Sequence, residues 1–187
     1  FLHVTHDQEE AMDMADTVAV MNKGHIEQMG APEALYERPK TAFVSKFLGQ
    51  SNLFVGEVAE SNSNSISINV SGNKITVPTD RAEKHTGTIA VGVRPEKANF
   101  HETEPSAQPG INLIGPGEII DIRFTGVSNQ YLIEIPGVGN VTVFAQNVGK
   151  SPVTELGANV WVSWKVEHSF GLSDLPENSA TESISVI

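Results

Sequence analysis

The chain has 187 residues with 23 acidic and 12 basic side chains, and its net charge of −11 opposes binding to nucleic acid and to anionic lipid headgroups, which proteins contact largely through Lys and Arg. It contains no cysteine, which excludes disulfides and thiolate metal sites, and its apolar runs are too short to cross a bilayer. We therefore expect a soluble protein with no nucleic-acid partner and no direct membrane insertion.

The first fifty residues are predicted to form short mixed elements. Asp7 is a good N-cap and Glu10 follows three residues later, an arrangement that starts a helix. An Asn-Lys-Gly turn between two apolar runs predicts a hairpin. Pro32 suits the first turn of a second helix, and Gly49 suits the end of a third. The predicted elements are a strand at Phe1 to Thr5, a helix at Gln8 to Ala15, strands at Thr17 to Met21 and His25 to Met29, and helices at Glu33 to Glu37 and Thr41 to Leu48.

These elements carry many apolar side chains, among them Val18, Val20, Ile26, Leu35, Phe43 and Phe47. About fifty residues alone can scarcely cover so much apolar surface. We therefore expect this segment to pack on further protein.

From Leu53 onward the pattern changes to period-two alternation broken by Gly, Asn and Pro, which is typical of a β-barrel or sandwich. Four strands are predicted before a connector at His101 to Pro109, and four after it. We interpret the two sets as a loose duplication of one strand pattern. The second set is predicted near Glu118 to Phe124, Gln130 to Ile135, Val141 to Ala145 and Asn159 to Val166.

His6 is the candidate residue with the clearest chemistry. It lies directly before a predicted helix start, where free amide N–H groups and the helix dipole favour anions, and an imidazole there can donate a hydrogen bond to a phosphate oxygen. A histidine in this place also fits a plain turn residue. No metal site is predicted, because His3 and His6 lie an odd number of positions apart on the predicted strand and face opposite sides.

The residues around His6 resemble the switch-histidine region of ABC-transporter ATPase subunits. The match runs from Val4-Thr5-His6-Asp7-Gln8-Glu9-Glu10-Ala11 through Asp16 and Met21 to Gly24-His25-Ile26-Glu27-Gln28. The resemblance implies that His6 is a catalytic and ATP-binding residue in a full-length parent protein, where it contacts the γ-phosphate. It also implies ATP and Mg²⁺ as the cofactors of that parent.

Other parts of such an ATPase site do not occur in the sequence. It has no glycine-rich phosphate loop of the form G-x-x-x-x-G-K-[ST] and no Leu-Ser-Gly-Gly signature, and the acidic metal ligands of the family would precede Phe1. We therefore expect the chain to be the C-terminal part of a larger ATPase. By itself it is expected to be inactive and to hold no cofactor.

A second resemblance lies in the β-rich part. Gly92-Val93-Arg94-Pro95-Glu96 resembles the Arg-Pro-Glu motif of the TOBE (transport-associated OB) domain, and Asn52-Leu53-Phe54 and Trp164 to Glu167 agree with it. TOBE domains follow the ATPase domain in importers for several kinds of solute. The stretch Phe124 to Tyr131 is most similar to the polyamine branch of these importers. Arg94 and Glu96 themselves are interpreted as a surface ion pair, which contributes little to stability.

The predicted fold is mainly β and has three parts. They are an α/β remnant of an ABC nucleotide-binding domain at residues 1–50, an OB-like TOBE β-barrel or sandwich at 51–172, and a polar tail at 173–187. The resemblance implies an ATPase subunit of a spermidine/putrescine-type importer. Its implied partners are a second copy in a homodimer, permease subunits and a solute-binding protein, and its implied place is cytoplasmic, at the inner face of the cell membrane. The fragment itself would serve dimerisation and regulation. The alternative is a free-standing OB-like module that binds a small ligand.

Overall fold

The N-terminal segment contains the predicted helices and hairpin. The computed structural model describes residues 1–147 and 155–176, so residues 177–187 of the predicted polar tail lie outside the described residues. The hairpin turns at Lys23 and Gly24, whose φ angles of 47° and 82° are those of a type I′ turn. The elements are α1 (Gln8–Met14), β1 (Val18–Asn22), β2 (His25–Gly30), α2 (Pro32–Glu37) and α3 (Ala42–Phe47).

The strand predicted at Phe1 to Thr5 is wrong. This segment has no regular structure, and Phe1, Leu2 and Val4 are exposed. A strand requires a neighbouring strand to take up its backbone hydrogen bonds. Among residues 1–147 and 155–176, no strand pairs with this segment.

The N-terminal segment builds a small core of its own. Val18 and Leu35 are only 8% and 1% exposed, and partly buried Ala11 and Met12 of α1 pack against the same cluster. The segment also packs on further protein, because Ala42 lies in a second buried cluster with Ala90, Phe170 and Leu172, although Ile26 remains 58% exposed. The buried members of the cluster are Val18, Val20, Leu35, Val44 and Leu48.

Two five-stranded antiparallel sheets form the rest of the described chain, with strand orders β12-β6-β3-β4-β5 and β10-β9-β8-β11-β7. The predicted mainly β, OB-like fold is confirmed. Among the described residues, no helix has the length and apolar character needed to cross a membrane. The strands are β3 (Asn52–Ser61), β4 (Ser65–Val70), β5 (Asn73–Pro78), β6 (Thr88–Val93), β7 (Asn99–His101), β8 (Ile111–Phe124), β9 (Ser128–Ile135), β10 (Gly139–Gln146), β11 (Asn159–Lys165) and β12 (Phe170–Gly171).

The inner faces of the two sheets share one apolar core. Alternate side chains of the last long strand, Val160, Val162 and Trp164, point into it, as the alternation predicts. Trp164 stacks on Phe54 of the other sheet, with ring centroids 5.4 Å apart. This core therefore joins the two predicted strand sets into one body.

The two strand sets are related by a quasi-two-fold repeat, and the pairing registers at the starts of β3 and β8 correspond. Asn52 lies opposite Val93 in the first sheet, and Asn112 lies opposite Trp164 in the second. The short strand that follows each set crosses to the other sheet, so β7 pairs with β11 and β12 pairs with β6. The 3₁₀ turns before them also correspond, Pro95–Lys97 to Val166–His168.

Two asparagines at equivalent places of the repeat each bind an edge strand of the opposite sheet. The Asn52 side chain donates to the Thr142 carbonyl oxygen over 2.8 Å and accepts from the Thr142 amide over 2.7 Å. Asn112 makes the same pair of bonds with Thr76, each of 2.8 Å. Thr142 and Thr76 lie on the edge strands β10 and β5, so each asparagine satisfies the backbone of the opposite sheet's edge.

We predict that Asn52→Ala and Asn112→Ala each lower the free energy of unfolding by about 2 to 4 kcal/mol, because each change removes two hydrogen bonds and leaves a backbone N–H and C=O unpaired in a buried place. Urea denaturation followed by tryptophan fluorescence measures the loss. Asn140→Ala, at an exposed position on β10, serves as the matched control and should change stability by less than about 0.5 kcal/mol. Equal stability of the Asn52 and Asn140 variants would contradict the prediction.

Candidate functional site

His6 lies in a bend directly before α1 and is exposed. Asp7, the N-cap of α1, accepts a hydrogen bond from the Glu10 amide over 3.1 Å, and its own amide donates to Thr5 Oγ1 over 3.0 Å. The predicted N-cap is confirmed, and it holds His6 one residue outside the helix. The imidazole is thus free to meet a group that approaches this end of the segment.

His3 lies close to His6 in the sequence but has a different partner. Its Nε2 lies 3.3 Å from the Glu10 carboxylate. Hydrogen bonds from Thr5 and then from His3 lower the pKa of Glu10. In the described part of the chain, no three His, Cys, Asp or Glu side chains form a group that is able to hold a metal ion.

Arg94 is the most constrained polar side chain of the described chain. It directly follows β6 and is only 1% exposed. Its Nε and Nη2 donate to the Tyr36 carbonyl oxygen over 3.3 and 2.9 Å, and its Nη1 lies 2.9 Å from the Ser45 carbonyl oxygen. Nη1 also reaches the carbonyl oxygens of Gly49 and Gln50, each at 3.2 Å, and Ser51 Oγ at 2.7 Å.

Two of these acceptors, the carbonyl oxygens of Tyr36 and Ser45, belong to the carboxyl ends of α2 and α3, and the others lie in the segment that follows α3. The last carbonyl groups of a helix have no partner within the helix and carry its partial negative charge. A guanidinium with its planar set of N–H donors is suited to satisfy several of them at once. Arg94 therefore ties α2 and α3 to the β-barrel.

The Tyr36 ring completes the Arg94 site. The guanidinium carbon lies 4.0 Å from the centroid of this ring, and the Tyr36 hydroxyl donates to Glu96 over 2.9 Å. Burial, followed by the hydrogen bond to Glu96, raises the pKa of Tyr36 to about 12. Burial also lowers the pKa of Arg94, an effect that the neighbouring Tyr36 and Glu96 oppose.

The interpretation of Arg94 and Glu96 as a surface ion pair is wrong. Arg94 is buried against backbone oxygens, and Glu96 instead accepts from Tyr36. The signal that points to burial is Pro95. Because proline has no N–H, it cannot donate to the nearby Gln50 carbonyl oxygen. The Arg94 side chain supplies the donor instead.

Further contacts join the same two parts. Glu37 lies 3.1 Å from the Lys97 ammonium. At the other end of the junction, Asp174 accepts from the Ala42 amide over 2.7 Å, and the Ser173 amide donates to the Lys40 carbonyl oxygen over 2.8 Å. The chain that follows the barrel thus returns to the start of α3.

Residues 91–172, which include Arg94 and the whole second strand set, match the TOBE domain family. This part of the chain is therefore similar to a TOBE domain. The resemblance of the Arg94 motif to that domain is therefore confirmed.

Relatives of the whole chain are ATP-binding proteins. It is 34% identical to the spermidine/putrescine import ATP-binding protein PotA of Thermobifida fusca (strain YX), over 92% of this chain and 44% of that protein. The PotA proteins of Frankia alni and Trichormus variabilis are 38% and 37% identical, over 93% and 86% of this chain and 39% and 42% of theirs. The chain thus spans about two fifths of the length of these relatives.

A solved structure with the same fold is that of the cytoplasmic molybdate-binding protein ModG. It superposes with a TM-score of 0.55 at 15% sequence identity and covers 64% of this chain and 94% of that one. At this identity the likeness shows the fold alone.

We predict that Arg94→Lys lowers the free energy of unfolding by about 2 to 4 kcal/mol, because an ammonium cannot reproduce the planar fork and leaves buried carbonyl oxygens without donors. Urea denaturation measures the change. Lys165→Met removes the exposed cation at the equivalent position of the second strand set and should change stability by less than about 0.5 kcal/mol. The prediction fails if the two substitutions have the same small effect.

Tyr36 makes stability depend on alkaline pH. Because its pKa is raised to about 12 in the folded chain, above an ordinary value of about 10, its contribution is fully present below about pH 10 and is lost as the pH rises through 12. Unfolding free energies measured across this range should fall more steeply for the native chain than for Tyr36→Phe. Parallel curves for the two proteins would show that Tyr36 ionises as it does in the unfolded chain.

Proposed function

We propose that the chain is the C-terminal regulatory part of the ATP-binding subunit of a polyamine-type ABC importer. The observation that carries this proposal is the extent of the match to spermidine/putrescine import ATP-binding proteins, which covers 86% to 93% of this chain in the three relatives above. The TOBE match at residues 91–172 accounts for less than half of the chain. The similarity therefore includes much of the segment that precedes the TOBE match. A free-standing ligand-binding module gives no reason for that extent.

His6 is the proposed contact to the γ-phosphate of ATP. The support is its flanking motif and its position, exposed and directly before the first turn of α1. A helix start favours an anion, and an imidazole there supplies one donor to a phosphate oxygen. The phosphate cradle, the Mg²⁺ ligands and the remaining donors would come from the parent protein, so the chain alone neither binds nor hydrolyses ATP under this proposal.

The same proposal implies partner proteins and a cellular location. Two ATP-binding subunits form a homodimer beneath a pair of permease subunits, a solute-binding protein delivers the polyamine, and the ATPase lies on the cytoplasmic side of the membrane. The proposed division of the chain puts the nucleotide-binding remnant at 1–50 and the TOBE barrel at 51–172. Within it, the dimer contact and the regulation belong to the barrel.

In the full-length parent, His6→Ala should lower ATP turnover by about 30- to 1,000-fold while nucleotide affinity changes little. The reason is that the cradle and metal supply most ground-state binding, whereas a donor to the γ-phosphate acts on the group being transferred. Steady-state hydrolysis by the reconstituted transporter with its binding protein, beside nucleotide titration of the same variants, makes the measurement.

His85→Ala is the matched control, because His85 is an exposed histidine in the barrel part of the chain. Its turnover should stay near that of the native protein. If the His6 variant also keeps native turnover, the proposed role of His6 is wrong. A loss of turnover in both variants would point to a general defect of folding or assembly and would equally remove the support for a specific role.

A further inference from the structure

The quasi-two-fold repeat gives the barrel a second position equivalent to Arg94. Ser51 precedes Asn52, which lies opposite Val93, while Ile111 precedes Asn112, which lies opposite Trp164. Lys165 therefore stands where Arg94 stands. By the same register, Glu167 takes the place of Glu96.

Only one of the two sites is covered. In the first, α2 and α3 bury Arg94, and Tyr36 binds both Arg94 and Glu96. In the second, the side chains of Lys165 and Glu167 are 63% and 66% exposed and lie 3.2 Å apart. Nothing among the described residues plays the part of α2 there.

A single backbone difference explains why Lys165 stays exposed. The Val166 amide donates to the Gly110 carbonyl oxygen over 2.8 Å. At the equivalent place Pro95 has no N–H, and the Gln50 carbonyl oxygen is bound by the Arg94 side chain instead. Since Val166 already satisfies this carbonyl group, the Lys165 ammonium is not drawn into the barrel.

Beside Lys165 and Glu167 lies an open groove of about 450 Å³. Its other lining is chiefly apolar and includes Pro78, Pro109, Ile111 and Val166. A cation and an anion thus stand beside this lining, as Arg94 and Glu96 stand beside Tyr36 of α2 in the first site.

We propose that this groove docks a helix of a partner protein that carries a tyrosine in its last turn, in the way α2 docks on Arg94. The carbonyl groups at a helix end carry partial negative charge, which complements the Lys165 ammonium. The tyrosine hydroxyl would donate to Glu167 as Tyr36 donates to Glu96, and the ring would cover the apolar lining. The occupant is not a second copy of this chain, because in each copy Tyr36 is already bound to Arg94 and Glu96.

The probe for this docking is a synthetic peptide with the sequence of residues 31–51, the segment that covers the first site. Amide shifts of the isotope-labelled full chain are followed during titration to about 1 mM peptide. We expect saturable shifts at residues 109–111 and 165–167. Lys165→Met should weaken binding at least about fivefold. A Tyr36→Phe peptide should bind the native chain more weakly than the native peptide does. On the Glu167→Gln chain it should bind no more weakly than the native peptide, because both changes remove the same hydrogen bond.

A gain-of-function variant keeps the test decisive if the native affinity is low. Lys165→Arg with Val166→Pro recreates the chemistry of the first site, and the backbones match, with φ and ψ of −68° and 137° at Lys165 against −72° and 141° at Arg94. It should bind the peptide about tenfold more tightly than the native chain. Lys74→Met, which removes another exposed cation paired with a carboxylate, should bind like the native chain.

Three results would overturn the proposal. One is the lack of saturable shifts for both the native chain and the double variant. Another is a set of shifts confined to the surroundings of Arg94, which would mean that the peptide only exchanges with α2 and α3. The third is a concentration-dependent shift at residues 165–167 without peptide, which would assign the groove to a second copy.

Discussion

The buried guanidinium of Arg94 is the interaction on which the arrangement of this chain depends. Two short helices end against the barrel, and their last carbonyl groups need donors that water cannot supply there. Arg94 brings its charge to that place, where the Tyr36 ring and backbone dipoles surround it and the nearby Glu96 favours the charged form. A buried cation is costly unless such partners surround it, so the helices and the barrel must sit in one relative position.

The duplicated barrel shows how one difference in backbone donors separates two equivalent sites. Both strand sets keep the asparagine that closes the opposite edge and the 3₁₀ turn that follows the last long strand. With Pro95 the carbonyl oxygen of Gln50 must be met by a side chain, and with Val166 the corresponding oxygen of Gly110 is met by the backbone. The first case draws a cation inward, and the second leaves it at the surface.

Local signals predicted the helices, the hairpin turn, the alternating strands and the duplication, because capping, left-handed turns and period-two burial are encoded within a few residues. The strand at Phe1 to Thr5 and the role of Arg94 depend on partners far away in the chain. The acceptors of Arg94 lie 43 to 58 residues earlier and are mostly backbone oxygens, which any residue type provides. The Asn-Leu pair that recurs at Asn52 and Asn112 is a sequence signal for the two edge closures.

The packing runs without a break from the helix that follows His6 to the barrel. Ala11 and Met12 of α1 contact the cluster that contains Leu35 of α2 and Val44 of α3. Those two helices end on Arg94, which leads directly from β6. Contiguous packing alone does not make two sites communicate, because one of its elements must have two arrangements. A guanidinium held by Tyr36 on one side and by the end of α3 on the other has little freedom to take a second one. The contacts at Arg94 therefore hold α2 and α3 in one position on the barrel, and a displacement of the barrel would move α1 and the segment before it in the same direction.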